Sequence, residues 1–404
     1  MNILYFAPFN SRGTYGELAR RYLDSLSKDK SLNIKVLAYP AGDSKVYASR
    51  DDLATIERLA LKNEAEYEEF LKDCTLLWQM PPHNLMYERR VDEGVWPLFA
   101  RALEEAKQNI NISVVEYPQG FTEASFGLLK QYGTKRVIAP YNVSFADQQF
   151  AKHGIELARI RPRTKTTSLA LPMAGLAKSL QDKFVILVAG SWMDRNGFDY
   201  AISSYLSEFQ HQRDVVLVVK THSYDASKED LASILRNMRE RIRCSAFGEM
   251  ATADIVLITE HISDGNMAWL LDKSDVVLHT PMIDGACFLQ REAALRNKPV
   301  IINALPLQDR FIGSVTVCPS TSDTAYAQVD AGPEMSWRVP SIKAICTELR
   351  EAYIRWDKYH DLDVAGKEVG DRVRELEWPH EKIAEAFKKV IGECHRRARK
   401  IRER

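Results

Sequence analysis

The sequence predicts an α/β protein built as two doubly wound parallel sheets, and three observations predict it. Short β-branched or aromatic runs alternate with longer helical stretches along most of the 404 residues, which is how strand–helix–strand units build a parallel sheet. Several runs, such as Phe184–Ala189 and Val215–Val219, are apolar at every position, the pattern of strands covered on both faces. The series also restarts. "RTKTTSLALPMAGLAKSLQD" (Arg163–Asp182) is a linker-like stretch of small residues and threonine, and a second set of strands opens directly after it. Length points the same way, since 404 residues exceed what one core usually holds.

In the first unit, residues 1–172, strands are read at Ile3–Ala7, Ile34–Ala38, Thr75–Gln79, Ser113–Tyr117 and Arg136–Pro140. In the second, residues 173–379, they are read at Phe184–Ala189, Val215–Thr221, Ile255–Ile258, Val276–His279, Pro299–Asn303 and Ser314–Cys318. Helices are read at Gly16–Leu26, Tyr200–Phe209 and Lys228–Arg241, the last with apolar residues at helical spacing. From Ser341 onward helical patterns replace strands. There is no low-complexity segment and no repeat of 20–50 residues.

Composition narrows the function classes. Lys and Arg together number 55, as do Asp and Glu, so the formal net charge is zero and no global field steers the chain toward nucleic acid. No apolar run approaches the ~18–20 residues of a membrane span. The chain opens straight into a strand pattern with no basic leader. Cys74, Cys244, Cys287, Cys318, Cys346 and Cys394 are scattered without a CxxC pair. The expectation is a protein of the reducing cytoplasm. The histidines form no HExxH or HxH pattern, so no protein-bound metal is expected. No GxSxG elbow and no Cys–His signature is present.

Ligands of open parallel sheets collect at the carboxyl ends of the strands, so the strand-to-helix loops hold the candidate residues. Gly13 and Gly16 follow the first strand and open a helix, where backbone N–H groups can approach an anion; a plain turn is the other reading. Arg195, in "WMDRNG", leads into the next amphipathic helix, as an anion contact or as an exposed loop residue. Lys220 ends an apolar strand, where a cation requires an anionic partner or a water-filled cleft. Asp284 follows the strand Val276–His279. The helix after it is read as starting near Gly285, Ala286 and Cys287, whose amides would point outward. Asp284 is either its N-cap or a ligand contact at its mouth. Glu292, two turns in and on a face with Phe288 and Leu295, is either a binding acid or a surface partner of Arg296. The basic stretch His395–Arg404 is a solvated helix end or a contact with anionic membrane on the inner face.

Taken together these loops resemble the retaining glycosyltransferases of the GT-B fold, in particular glycosyltransferase family 4 (group 1). That family carries a Glu-X7-Glu element, and "DGACFLQREAALRNKPVI" places Asp284 and Glu292 at its acid positions, with Glu292, Ala293, Pro299, Val300 and Ile301 matching. "LLDKSDVVLHTP", "GSWMDRNGFDYAISSYLSEF", "VVLVVKTH", "ILYFAPFNSRGTYGELARRYL" and "SWRVPSIKAICTELREAY" resemble the family's other segments. The chain departs from the pattern at Asp284 (usually Glu), Cys287 (usually Gly) and Asn196 (usually the Lys of Arg-Lys-Gly).

The resemblance implies GT-B architecture with a C-terminal helix, about 380–404, completing the first unit. It implies transfer of a sugar from a nucleoside diphosphate donor to an acceptor, with retention and without metal or cofactor. Glu292 would accept from the ribose hydroxyls; Asp284 and the amides of Gly285, Ala286 and Cys287 would hold the sugar. Gly13, Gly16, Arg195 and Lys220 would surround the diphosphate, and Ile262 is counted on the donor side. His83 and Glu116 are acceptor-side candidates. Two rivals stand beside this reading: another GT-B enzyme, such as a nucleotide-sugar epimerase or a phosphorylase, and a non-catalytic homologue that binds sugar nucleotide.

Overall fold

The computed structural model describes the chain except at residues 12, 40–47, 86–93, 116–120, 142–145, 168, 211, 224–226, 246–252, 283, 285–287, 304–316, 319–323, 327–335 and 403–404. Contacts within the chain divide it into Met1–Arg163 with Glu377–Arg404, and Thr164–Leu376. Among the described residues each unit is built on a six-stranded parallel sheet, the doubly wound α/β class the apolar runs predict.

The first sheet runs β1 (Asn2–Ala7), β2 (Asn33–Ala38), β3 (Cys74–Gln79), β4 (Gln108–Ile112), β5 (Arg136–Ala139) and β6 (Glu156–Arg159), in the order β2-β1-β3-β4-β5-β6. The chain passes to one side of β1 to make β2, then crosses to the other side for β3. The order therefore reverses between β1 and β3. The helix His380–Arg402 belongs to this unit. Phe387 meets Tyr22 edge-on at 5.1 Å, Lys388 pairs with Asp29 at 2.7 Å, and the buried Arg136 donates to the Val390 carbonyl.

The second sheet runs β7 (Phe184–Ser191), β8 (Val215–His222), β9 (Asp254–Ile258), β10 (Val276–His279), β11 (Val300–Asn303) and β12 (Val317–Cys318), in the order β12-β11-β10-β7-β8-β9. Here the order reverses between β7 and β10, which pair through Ile186–Val276 and Leu187–Val277. Both faces are covered. Ile186, Val188, Leu217 and Val219 share a core with Phe198, Ala201 and Leu349, while Val185, Leu187, Val216 and Val218 share the opposite one with Trp269, Ala293 and Val369. That is why these strands are apolar at every position: each such side chain buried on either face gains ~1.5–3 kcal/mol.

The strands differ from the sequence reading in three places. Of the strand expected at Ser113–Tyr117, residues 116 and 117 lie outside the described residues and 113–115 are not strand; the strand found here is Gln108–Ile112, with Asn109 and Asn111 buried inside it. Asn109 donates to the carbonyls of Leu103 and Tyr132, and Asn111 to those of Trp78 and Met80, so polar letters occupy core positions. The sheet edge β6 is half-buried throughout and carries no apolar run. A short antiparallel pair, Thr324–Tyr326 with Ser336–Arg338, was also not expected. Among the described residues no helix is long and apolar enough to cross a membrane.

Candidate functional site

In a doubly wound sheet the crevice for a ligand forms outside the carboxyl ends of the strands where the order reverses. In the second unit that point lies between β7 and β10, and the loops that follow them carry Arg195 and Asp284. They are fastened to one another. Met282 N–H donates to the Arg195 carbonyl at 2.7 Å, and Thr280 Oγ1 donates to the carbonyls of Asn196 (3.2 Å) and Gly197 (2.9 Å). Gly197 makes this possible. It has φ 63°, and a methyl group there would lie 2.5 Å from the Thr280 carbonyl oxygen, so only glycine allows the approach. Asn196, where the resembling family has lysine, donates its amide to the Ser191 carbonyl at 2.7 Å and closes the turn.

On the other side of β7, β8 ends in Lys220, Thr221 and His222, in register with Ala189, Gly190 and Ser191. Lys220 is 8 % exposed, and its ammonium donates to the Thr221 carbonyl at 3.3 Å. His222 Nε2 lies 3.3 Å from Ser191 Oγ. Lys220 and the half-buried Arg195 are thus cations at the carboxyl end of β8 and in the loop after β7.

Asp284 is half-buried, and its Oδ2 lies 3.0 Å from Nε2 of the buried His279, the last residue of β10. Sequence reading passed over His279 as a strand terminus. The signal available was a histidine closing an apolar strand five residues before an acid. The helix after this loop is described from Phe288 to Leu295. Gly285, Ala286 and Cys287, the expected amide donors, lie outside the described residues. Glu292 is half-buried on that helix. Arg296 reaches Asp272 at 2.6 Å and the Thr167 carbonyl. The helix is braced from behind: methyl groups at Gly366 and Gly370 would fall 1.8 Å from the Asn297 carbonyl oxygen and 2.4 Å from Asn297 Oδ1. Ile262 packs against the apolar core beneath the sheet.

The first unit has its own reversal point, between β1 and β3, with the glycine loop after one and His83 after the other. Gly13 is the N-cap of helix Thr14–Leu26 and offers no side-chain cap to the first-turn amides. A methyl at Gly13 would meet only Ser11 Oγ, at 3.8 Å, whereas one at Gly16 would lie 2.2 Å from the Ser11 carbonyl oxygen. Arg20 braces the same loop, donating to the carbonyls of Phe9 (2.7 Å) and Ser11 (2.9 Å). Tyr15 ties it to the neighbouring strand ends: Gln79 donates to its carbonyl at 2.5 Å, and its hydroxyl accepts from Val114 N–H at 3.0 Å. Burial raises the pKa of Glu17, but Arg21 and Arg20 beside it win and hold the carboxyl down at about 2. His83 is half-buried in the turn Pro82–Asn84; Glu116 lies outside the described residues. Among the described residues no three His, Cys, Asp or Glu side chains gather as metal ligands would.

No protein-family model matches the chain, and no curated protein is detectably similar in sequence. In three dimensions it is similar to HepE of Anabaena in complex with UDP and glucose (12% identity, TM-score 0.62, 97% of this chain and 100% of that one). It is similar to an α,α-trehalose-phosphate synthase (UDP-forming) from Burkholderia vietnamiensis (11% identity, TM-score 0.60, 97% and 99%). A trehalose-6-phosphate structure from E. coli bound with UDP-2-fluoro glucose is alike to the same degree (12% identity, TM-score 0.62, 97% and 98%). At such identities the likeness establishes the fold alone: two Rossmann-like α/β units, the fold class named GT-B.

Proposed function

We propose that the protein is a glycosyltransferase that moves a sugar from a nucleoside diphosphate donor to an acceptor, with the donor bound at the reversal point of the second unit. The observation that carries this is the joining of the Arg195 and Asp284 loops across β7 and β10, with Lys220 on the far side of β7. Solved structures with this architecture hold UDP and glucose or a UDP-fluoroglucose, which supports a nucleotide sugar as the ligand class. The family 4 resemblance supplies the roles. Glu292 accepts from the ribose, Asp284 holds the sugar, and Arg195 and Lys220 face the diphosphate.

Chemically the arrangement suits the reaction. Breaking the bond from sugar to diphosphate leaves positive charge on the anomeric carbon and returns negative charge to the phosphate oxygen. Cations fixed before the reaction stabilise the leaving group without reorganising, and Asp284 supplies negative charge beside the sugar. In this reading the acceptor attacks from the leaving-group side, giving retention, and Arg195 and Lys220 neutralise the diphosphate without a metal. The anchoring of Asn196 to Ser191 favours a second reading, a sugar-nucleotide-binding homologue without turnover, because that position contributes no cation. An assay of sugar release and transfer from UDP-, GDP- and ADP-sugars decides between them. Turnover that collapses in Asp284→Asn supports the enzyme; binding without turnover for any donor supports the homologue.

A further inference from the structure

We propose that His380 is a proton-sensitive latch fastening together the two segments by which the chain leaves and re-enters the first unit. The chain leaves this unit after Arg163 and returns at Glu377, and helix His380–Arg402 opens directly after the return. The His380 side chain, 12 % exposed, meets Arg163 of the outgoing segment and Lys28, which follows helix Thr14–Leu26. Its Nε2 is hydrogen-bonded to Arg163 Nη1 and lies 2.8 Å from Lys28 Nζ. Its Nδ1 lies 3.0 Å from Ser25 Oγ.

These partners leave the ring one protonation state. A guanidinium and an ammonium only donate, so Nε2 accepts and carries no proton. Ser25 Oγ donates its own hydrogen to the Arg21 carbonyl at 3.1 Å, so it accepts from Nδ1–H. The ring is therefore neutral, with its proton on Nδ1. A second proton would stand on Nε2, facing two cations, and both of those bonds would be lost. Asp24 Oδ2, 3.7 Å from Nδ1, and Glu381 favour the charged ring, but Asp24 is paired with Lys28 at 2.9 Å. Burial, with Lys28 and Arg163, outweighs them and holds the pKa of His380 below its usual value.

The place of the latch gives it consequence. Arg163 ends its unit, and its carbonyl accepts from Arg21 Nη1 at 3.4 Å. The next residue, Thr164, accepts at Oγ1 from Arg291 Nε of the second unit, at 3.2 Å. Adjacent residues are thus anchored each inside its own unit, with no residue between the anchors. A few such residues, at the ends of elements, absorb the backbone rotation of a hinge. Protonating His380 releases the Arg163 side chain and loosens the anchor on the first unit.

Amide hydrogen exchange of the full chain, corrected for the intrinsic pH dependence of exchange, reads the latch at residues 160–166 and 376–382. Opening takes up one proton, so the open population rises by up to ~10-fold for each pH unit below ~6.5, until the folded pKa is reached. Both segments should lose protection together as pH falls from ~7 to ~5, while the core strand Val215–Val219 does not change. His380→Gln offers an amide oxygen near the Nε2 position but does not titrate, and should stay protected throughout. Lys28→Met removes a cation beside the ring and should move the midpoint of opening to higher pH. His380→Leu, which has no acceptor, should exchange fast at every pH; if it folds poorly, the other two variants decide. Parental protection that does not change with pH overturns the proposal, as does a glutamine variant that opens with acid as the parent does. Ring-nitrogen NMR that finds the His380 proton on Nε2 at pH ~7 overturns it too. None of these outcomes depends on the donor-site reading.

Discussion

Gly16→Ala should destabilise the first unit far more than Gly13→Ala, although both glycines belong to the same loop. At Gly16 the added methyl would sit 2.2 Å from the Ser11 carbonyl oxygen and 2.9 Å from that of Pro8. Both are backbone atoms, so the loop must move by about an ångström, an overpacking of ~1–3 kcal/mol. Moving it also strains the bonds from the Arg20 guanidinium to Phe9 and Ser11, each worth ~1.5–3 kcal/mol as a charged hydrogen bond. Against this, alanine gains ~1 kcal/mol in a helix over glycine. The balance is a loss of ~2–4 kcal/mol. At Gly13 the methyl meets only Ser11 Oγ at 3.8 Å and φ is −74°. There the cost is that of a poorer N-cap, up to ~1 kcal/mol. Urea unfolding read by far-ultraviolet circular dichroism measures both. A Gly16→Ala variant within ~0.5 kcal/mol of the parent would refute the packing argument.

Glu292→Ala should weaken binding of the nucleoside diphosphate by ~1.5–3 kcal/mol, the worth of a hydrogen bond to a charged group; unchanged calorimetric affinity would return Glu292 to the helix surface. Arg195→Ala and Lys220→Met should lower turnover far more than stability, and normal turnover in both would mean that the diphosphate is neutralised elsewhere. His380 gives a pH prediction. Burial holds its pKa below the usual 6.5, and Lys28, 2.8 Å from Nε2, and Arg163 add to this against the pull of Asp24. The unfolded chain therefore takes up this proton first as pH falls. Stability from His380 is fully present above about pH 6.5 and declines below it, down to the depressed folded value. His380→Asn should flatten that decline in urea midpoints measured from pH 7 to pH 5, and an identical slope would contradict the assignment.

The second sheet was legible because burial on both faces writes itself as unbroken apolar runs: Phe184–Ala189, Val215–Val219 and Val276–Leu278 all lie in the parallel sheet. β4 was misplaced for the converse reason, since Asn109 and Asn111 satisfy their amides on carbonyls and so occupy core positions. Strand order carries no local signal at all. That the β7 and β10 loops are neighbours follows from a crossover, and only the fold displays it. The acids stood out by their spacing, Asp284 and Glu292 eight apart. His279 did not, because a single histidine at a strand end has no pattern to belong to; its 3.0 Å approach to Asp284 is visible only in space. Asn196 shows the same limit. Read as a missing lysine, it proves to close the turn that brings Arg195 against the Asp284 loop.

Amide hydrogen exchange with and without a saturating sugar nucleotide tests the donor site most directly. The account predicts that the ligand slows exchange in the loops at residues 191–197 and 280–284 and at the start of the helix Phe288–Leu295. It predicts further that Asp284→Asn loses the protection at 280–284 given by the sugar nucleotide while keeping that given by the diphosphate at 191–197. Protection confined to the loops of the first unit, with residues 191–197 and 280–284 exchanging as in the free protein, would contradict it.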